Sequence, residues 1–124
     1  MHKKKILAVV DDLLFTVKIS DAAKRAGLEV EFLKSEQDVI QKAAHDKPLL
    51  IILDLNNNSV DPLDLISKLK ADGDLKRISL IGYLSHVQGE LKQKAHEAGA
   101  NIVMARSAFS QNLQQILKRH AGVR

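Results

Sequence analysis

The 124-residue sequence has no cysteine and no tryptophan, and aromatic residues make up only 3% of it. Without cysteine there is no disulfide, no thiolate nucleophile and no thiolate metal ligand, and a reducing compartment suits the chain. So few rings provide no set on which nucleobases could stack, and no recognition-helix signature is present. The formal net charge of +4 is therefore not read as a sign of nucleic-acid binding. No apolar run approaches the ~20 residues that a membrane-crossing helix needs. The start, Met1-His2-Lys3-Lys4-Lys5, is charged, but the apolar run behind it, Ile6 to Val10, stops at two aspartates, unlike a signal peptide. The expectation is a cytoplasmic protein with no nucleic-acid and no membrane partner. Several chemical motifs are missing too. There is no GxxxxGK[ST] loop, no GxGxxG turn and no nucleophile elbow. The histidines His2, His45, His86, His96 and His120 show no metal-binding spacing and read as surface residues. Only His86, beside Ser85, adjoins a candidate site.

What is present is organised around Pro48 to Asn58. Leu49 to Leu53 is an unbroken apolar run that ends at Asp54, as a strand buried on both faces of a parallel sheet reads. Ile6 to Val10 repeats the pattern and ends at Asp11-Asp12. Helical spacing follows at Phe15, Ile19, Ala22 and Ala26, with Gly27 as the stop. Leu28 to Leu33 alternates apolar and acidic residues, as an edge strand does. Ser35 caps a helix with Val39, Ile40, Ala43 and Ala44 on its inner face, and Lys47-Pro48 breaks the chain. Asp61 at N-cap and Pro62 at the first helical position start the third helix, which is expected to end at Gly73. Ile78 to Leu84 is a fourth strand, weakened by Gly82. Val87, Leu91, Ala95 and Ala98 mark the next helix, capped by Gly99. Asn101 to Ala105 is a fifth strand, and Ser107 or Ser110 opens the last helix.

Five strand–helix units with short connections imply an α/β fold, residues 1–124 forming a single domain. The expected architecture is a (βα)5 doubly wound parallel sheet in the flavodoxin-like strand order 2-1-3-4-5. In such a sheet all the carboxyl ends lie at one pole. Asp11, Asp12 and Asp54 should converge there, with Ser85 and Arg106 flanking them. Three close anions raise one another's pKa values unless a cation joins them, and an all-oxygen donor set with open positions suits Mg²⁺ better than zinc. A carboxylate so placed, with a hydroxyl and a cation aimed at the same spot, can act as a nucleophile toward a phosphoryl group. At the other pole, Lys3, Lys4 and Lys5 should meet Lys118, Arg119 and Arg124 in a basic patch.

The combination of VVDD after the first strand, IILDLN at the third, Ser85 after the fourth and AGAN leading through the fifth to Arg106 resembles the receiver domain of bacterial two-component response regulators. No one piece is specific, but the four agree in spacing across essentially the whole chain. The resemblance implies that Asp54 accepts a phosphoryl group from a histidine kinase or phosphotransfer protein. It implies that Asp12, Asp11 partly through water, Asp54 and the backbone carbonyl of Asn56 hold Mg²⁺, and that the Ser85 hydroxyl swings to the phosphoryl group. It further implies a stand-alone receiver, a signalling module rather than an enzyme. Such a module would be a monomer or weak homodimer that signals to an unknown downstream protein through the fourth helix, fifth strand and fifth helix.

The departures from that pattern have physical content. Arg106 stands where the family has lysine, a planar bidentate group in place of a compact point charge. Ser107 and Asn58 replace usual prolines, and Pro62 a usual glycine. Val103 replaces the aromatic switch of strand five. Two further readings stay open beside the first. One is a pseudo-receiver that binds partners without phosphotransfer. The other is a small flavodoxin-like enzyme for a nucleotide or flavin, which lacks a phosphate loop.

Overall fold

The computed structural model describes residues 4–85 and 89–122. Val87, His2, His86, Lys3 and Arg124, to which the sequence assigned places above, lie outside the described residues. The strands are β1 (Lys5–Val9), β2 (Glu29–Phe32), β3 (Leu50–Asp54), β4 (Ser79–Leu84) and β5 (Ile102–Ala105). The helices are α1 (Leu13–Arg25), α2 (Glu36–Asp46), α3 (Pro62–Ala71), α4 (Gly89–Ala98) and α5 (Arg106–Ala121). The sheet runs β2-β1-β3-β4-β5, and every ladder is parallel. This is the doubly wound order expected from the alternation.

The unbroken apolar runs form the centre because both of their faces are covered. Leu7, Val9, Ile51 and Leu53 face α2 and α3, where Val39, Ala43, Leu65, Ile66 and Leu69 are buried. Ile6, Ala8, Leu50 and Ile52 face α1 and α5, where Phe15, Ile19, Phe109, Leu113 and Leu117 are buried. Each fully buried Leu, Ile or Val contributes about 1.5–3 kcal/mol, so these two strands anchor both layers. β2 is an edge strand whose residues are exposed or half-buried, as its alternating acids indicated.

Lys5 is the polar fastener at the amino pole. Its Nζ donates to Glu31 and to Asp46, each at 2.8 Å, joining β1 to the edge strand and to the end of α2. The pairing holds Asp46 well down, at about 2, and pushes Lys5 up. Lys5 therefore does not add to a basic patch. Of the charges placed at that pole, Lys4 is exposed, and Lys118 and Arg119 lie in the last turn of α5.

Local sequence signals were read correctly where capping chemistry is short-range. The Ser35 side chain accepts the Asp38 N–H and Asp61 accepts the Asp64 N–H. Gly27, with φ +73°, follows the α1 C-cap in the left-handed region that favours glycine. The strand limits shift by a residue, and two helix boundaries differ. α3 stops at Ala71 rather than at Gly73, because the Asp72 side chain takes the Asp74 and Leu75 N–H groups and starts a new turn. α5 begins at Arg106, before either serine, with Ala105 at the N-cap position and no side-chain cap.

Gly82 does more than weaken β4. A Cβ there would meet the Leu55 side chain at 2.9–3.1 Å. Leu55 follows Asp54, is buried, and donates its N–H to the Tyr83 carbonyl at 2.9 Å. The bare strand lets the first residue of the β3–α3 loop lie flat on β4, which fixes how the chain leaves Asp54. Gly82→Ala is expected to destabilise the protein by roughly 1–3 kcal/mol. Leu55→Ala in the same chain should recover part of that loss, and urea unfolding of the two single variants and the double variant measures the coupling.

Candidate functional site

At the carboxyl pole the chain can no longer stay apolar, and the first polar residues met at the ends of β1 and β3 are acids. Asp54 is the last residue of β3, in register with Tyr83 of β4. Its side chain is half-buried on the α1–α5 face. Its Oδ1 accepts the Asn56 N–H at 2.9 Å, and its carbonyl accepts the Asn57 N–H at 3.1 Å. Burial pushes the Asp54 carboxyl above the ordinary aspartate range. The Asn56 N–H partly offsets this, and the charge of Asp11 adds to it.

The asparagines after Asp54 divide the work of holding the loop. The Asn56 side-chain oxygen accepts the Ser85 N–H at 2.7 Å, tying the loop to the end of β4. Asn57 is 7% exposed, a buried polar residue in an otherwise apolar core. Its Nδ2 donates to the Val9 carbonyl, and its Oδ1 accepts the Ser59 and Val60 N–H groups at 2.6 and 3.2 Å. It therefore clamps the end of β1 to the β3–α3 loop. Reading the asparagines as one loop cluster missed it. The available signal was an Asx-turn residue between two strand ends that need a polar bridge.

The acids after β1 point different ways. Asp11 is exposed; its Oδ1 accepts the Ser59 hydroxyl at 2.9 Å and its Oδ2 the Asn58 N–H at 3.4 Å. Asp12 is the N-cap of α1, where Oδ1 accepts the Leu14 N–H at 2.8 Å and the Phe15 N–H at 3.4 Å. Its Oδ2 pairs with Arg106 Nη2. Among the described residues Arg106 makes no ion pair with Asp54. Its guanidinium lies over the Phe15 ring, 4.6 Å from the centroid. Phe15 stacks on Tyr83 at 4.9 Å, and Tyr83 on Phe109 at 4.8 Å. Burial pushes the Tyr83 hydroxyl up, followed by the charges of Asp54 and Asp11, so the ring stays neutral.

Ser85 and Arg106 share a cavity of about 420 Å³ with Phe15, Lys18 and Ser110. Ser85 is exposed at its edge. Asp54 is not among the cavity's lining residues. The structure thus brings Asp11 next to Asp54, Asn56 between Asp54 and Ser85, and Asp12 against Arg106. Of the acids expected to converge, Asp11 acts on Asp54 through its charge, while Asp12 is paired with Arg106. Among the described residues no group of three or more acids or histidines is gathered as a metal cluster.

The donor chemistry at Asp11 and Asp54 still fits a hard divalent cation. The donors are oxygens, the carboxylates oppose each other electrostatically, and a cation between them would remove the opposition. Asp12 could join only in competition with Arg106. One further feature was not legible as function. Leu13, Leu14 and Val17 are 76%, 59% and 59% exposed on α1, an apolar face beside the acids.

No protein-family model matches the sequence, and no curated protein does. Solved structures match closely in shape. A Vibrio cholerae chemotaxis response regulator is 22% identical, with a TM-score of 0.81 over 96% of this chain and 99% of that one. The receiver domain of a Pseudomonas aeruginosa sensor histidine kinase, with a magnesium ion in its active-site cleft, is 21% identical, with a TM-score of 0.81 over 98% of this chain and 99% of that one. A phosphorylated cyanobacterial phytochrome response regulator is 24% identical, with a TM-score of 0.78 over 95% of this chain and 91% of that one. The chain has the fold of response-regulator receiver domains.

The electrostatics at Asp54 give a signed expectation. A carboxyl raised in the folded state opposes folding once it ionises, so the opposition is full above its folded pKa and absent below the ordinary aspartate value. Asp54→Asn should therefore melt higher than the wild type at neutral pH in metal-free buffer. The difference should shrink with acidification and vanish by about pH 3. Thermal melts of both proteins across that range provide the check.

Proposed function

We propose that this protein is a receiver that accepts a phosphoryl group on Asp54 with a divalent cation, Mg²⁺, at Asp11 and Asp54. The observation that carries the reading is Asp54 itself, a half-buried carboxylate at the end of a fully buried strand, raised by burial and by Asp11. One of its oxygens is fixed by the Asn56 N–H, and among the described residues the other accepts no hydrogen bond. That second oxygen is the nucleophile. It attacks phosphorus, the bond to the donor's imidazole nitrogen breaks, and the imidazole leaves with the electron pair. A bound divalent cation would neutralise the developing charge on the equatorial oxygens. The Asn56 N–H keeps the carboxylate aimed, and Asn56 also holds the Ser85 backbone, so the hydroxyl residue is positioned from the same loop.

The donor is a histidine kinase or a phosphotransfer protein. The apolar face of Leu13, Leu14 and Val17, next to the acids, suits an apolar helix that presents a phosphohistidine over Asp54. On this reading the domain is a signalling module rather than an enzyme and acts through contacts with a downstream protein.

A second reading has its own observation. Arg106 is committed to Asp12, and Val103 is buried in the core, so no ring stands at that position of β5. A pseudo-receiver would use the same surfaces to bind a partner without phosphoryl transfer.

Intact mass after incubation with acetyl phosphate and Mg²⁺ separates the two. The first reading expects one added phosphoryl group in the wild type and none in Asp54→Asn or in a metal-free control. An unchanged mass at saturating donor and metal would hand the site to the pseudo-receiver.

A further inference from the structure

We propose that Arg106 sets the cation affinity of this site by competing with a divalent ion for Asp12. The proposal rests on the metal-assisted reading only in that a cation binds at this pole, and its test reads binding rather than phosphorylation.

The competition follows from how each acid is occupied. Asp11 is braced by the Ser59 hydroxyl and the Asn58 N–H, and Asp54 by the Asn56 N–H, and neither has a cationic partner among the described residues. Asp12 has one oxygen in the α1 N-cap and the other on Arg106. The protein's own cation has gone to the acid that also caps a helix and has left the opposed pair without one. A divalent ion arriving at Asp11 and Asp54 either binds without Asp12 or competes with the Arg106 charge for it.

Arg106 is held from two sides. It is the first residue of α5, so its backbone is fixed. Its guanidinium rests on Phe15, and that ring belongs to a continuous stack with Tyr83 and Phe109. A planar guanidinium can stack and pair at once, whereas an ammonium at the same position would pair as a point charge and give up the stacked face. Neither partner of the ion pair is deeply buried, with side-chain exposures of 37% and 30%, so the pair can open without stranding a charge in the core. The arginine is thus an exchangeable competitor rather than a permanent lock.

The experiment is calorimetric titration of Mg²⁺ into the full chain and its variants, each checked for folding by circular dichroism. Arg106→Met keeps an unbranched side chain over Phe15 and removes the charge. It should bind Mg²⁺ about tenfold more tightly, the scale on which neighbours of a metal site act. Arg106→Lys should fall between Arg106→Met and the wild type, and Arg106→Gln serves as a second neutral variant if the methionine does not fold. The gain must also pass through Asp12. In an Asp12→Asn background, Arg106→Met should change the affinity little. Equal or weaker binding by the neutral variants overturns the proposal and leaves the metal-assisted reading standing. A gain that persists in full without the Asp12 carboxylate also overturns it, since the arginine would then act only as a distant charge. If neither the wild type nor any variant binds Mg²⁺, both this proposal and the metal-assisted reading fail.

Discussion

The structure depends on the complete burial of β1 and β3 side by side. Ile6 to Val9 and Leu50 to Leu53 have essentially no exposed surface on either face. Strands in that situation cannot carry charge along their length, because an unpaired ion in such a core costs far more than any local gain. Polar chemistry is therefore pushed to the strand ends. At the carboxyl ends it appears at once, as Asp11 and Asp12 after one strand and Asp54 at the end of the other. The parallel pairing of Ile6 with Leu50 through Val9 with Leu53 brings those ends to the same pole. The acid site follows from the burial pattern and the register together.

The same constraint shapes the opposite pole, with the opposite outcome. Lys5 opens β1, where the strand is still half-buried, and its ammonium cannot remain unpaired there. Asp46 and Glu31 meet it at 2.8 Å from two different elements. Lys5 is consequently part of a neutralised network that ties down an edge strand, while at the carboxyl pole the charge of Asp11 acts on Asp54. The contrast separates structural charge from chemical charge in this fold. Where a cation is supplied, the carboxylate titrates low, as Asp46 does. Where burial dominates and, among the described residues, no cation is paired with it, the carboxylate titrates high, as Asp54 does.

How much of this could be read from the sequence depended on the range of the interaction. Strand burial, helix spacing and the Ser35 and Asp61 caps are properties of a few consecutive residues, and the sequence displays them. So is the placement of Asp54 at a strand end. What could not be read joins residues distant in the chain. Nothing local marks that Gly82 is bare to admit Leu55, or that Asn57 reaches back 48 positions to Val9. Nothing local marks that Arg106 turns toward Asp12 instead of Asp54. In that case the side chain's reach and a ring on a neighbouring helix decided the partner, and neither is encoded at position 106. The failed expectation about Lys5 has the same origin, since three successive lysines look alike until the fold brings carboxylates to one of them.

The arginine also bears on how a change at Asp54 could travel. Val103 is a core residue on the face packed by α2, α3 and α4, so β5 offers no ring there to rotate between two positions. The rings that do lie near the acids are on the other face. Phe15, Tyr83 and Phe109 are stacked in series from α1 through β4 to α5, and Arg106 covers the Phe15 end. A coupling needs an element with two discrete arrangements that both sites bias. Here the candidate element is the arginine, which the structure holds paired with Asp12 and stacked on Phe15. Any demand on Asp12 at the acid pole acts on that pair directly, and the arginine is the first residue of α5. In this chain the contacts that lead away from the acids run through Phe15 of α1 and Arg106 at the start of α5.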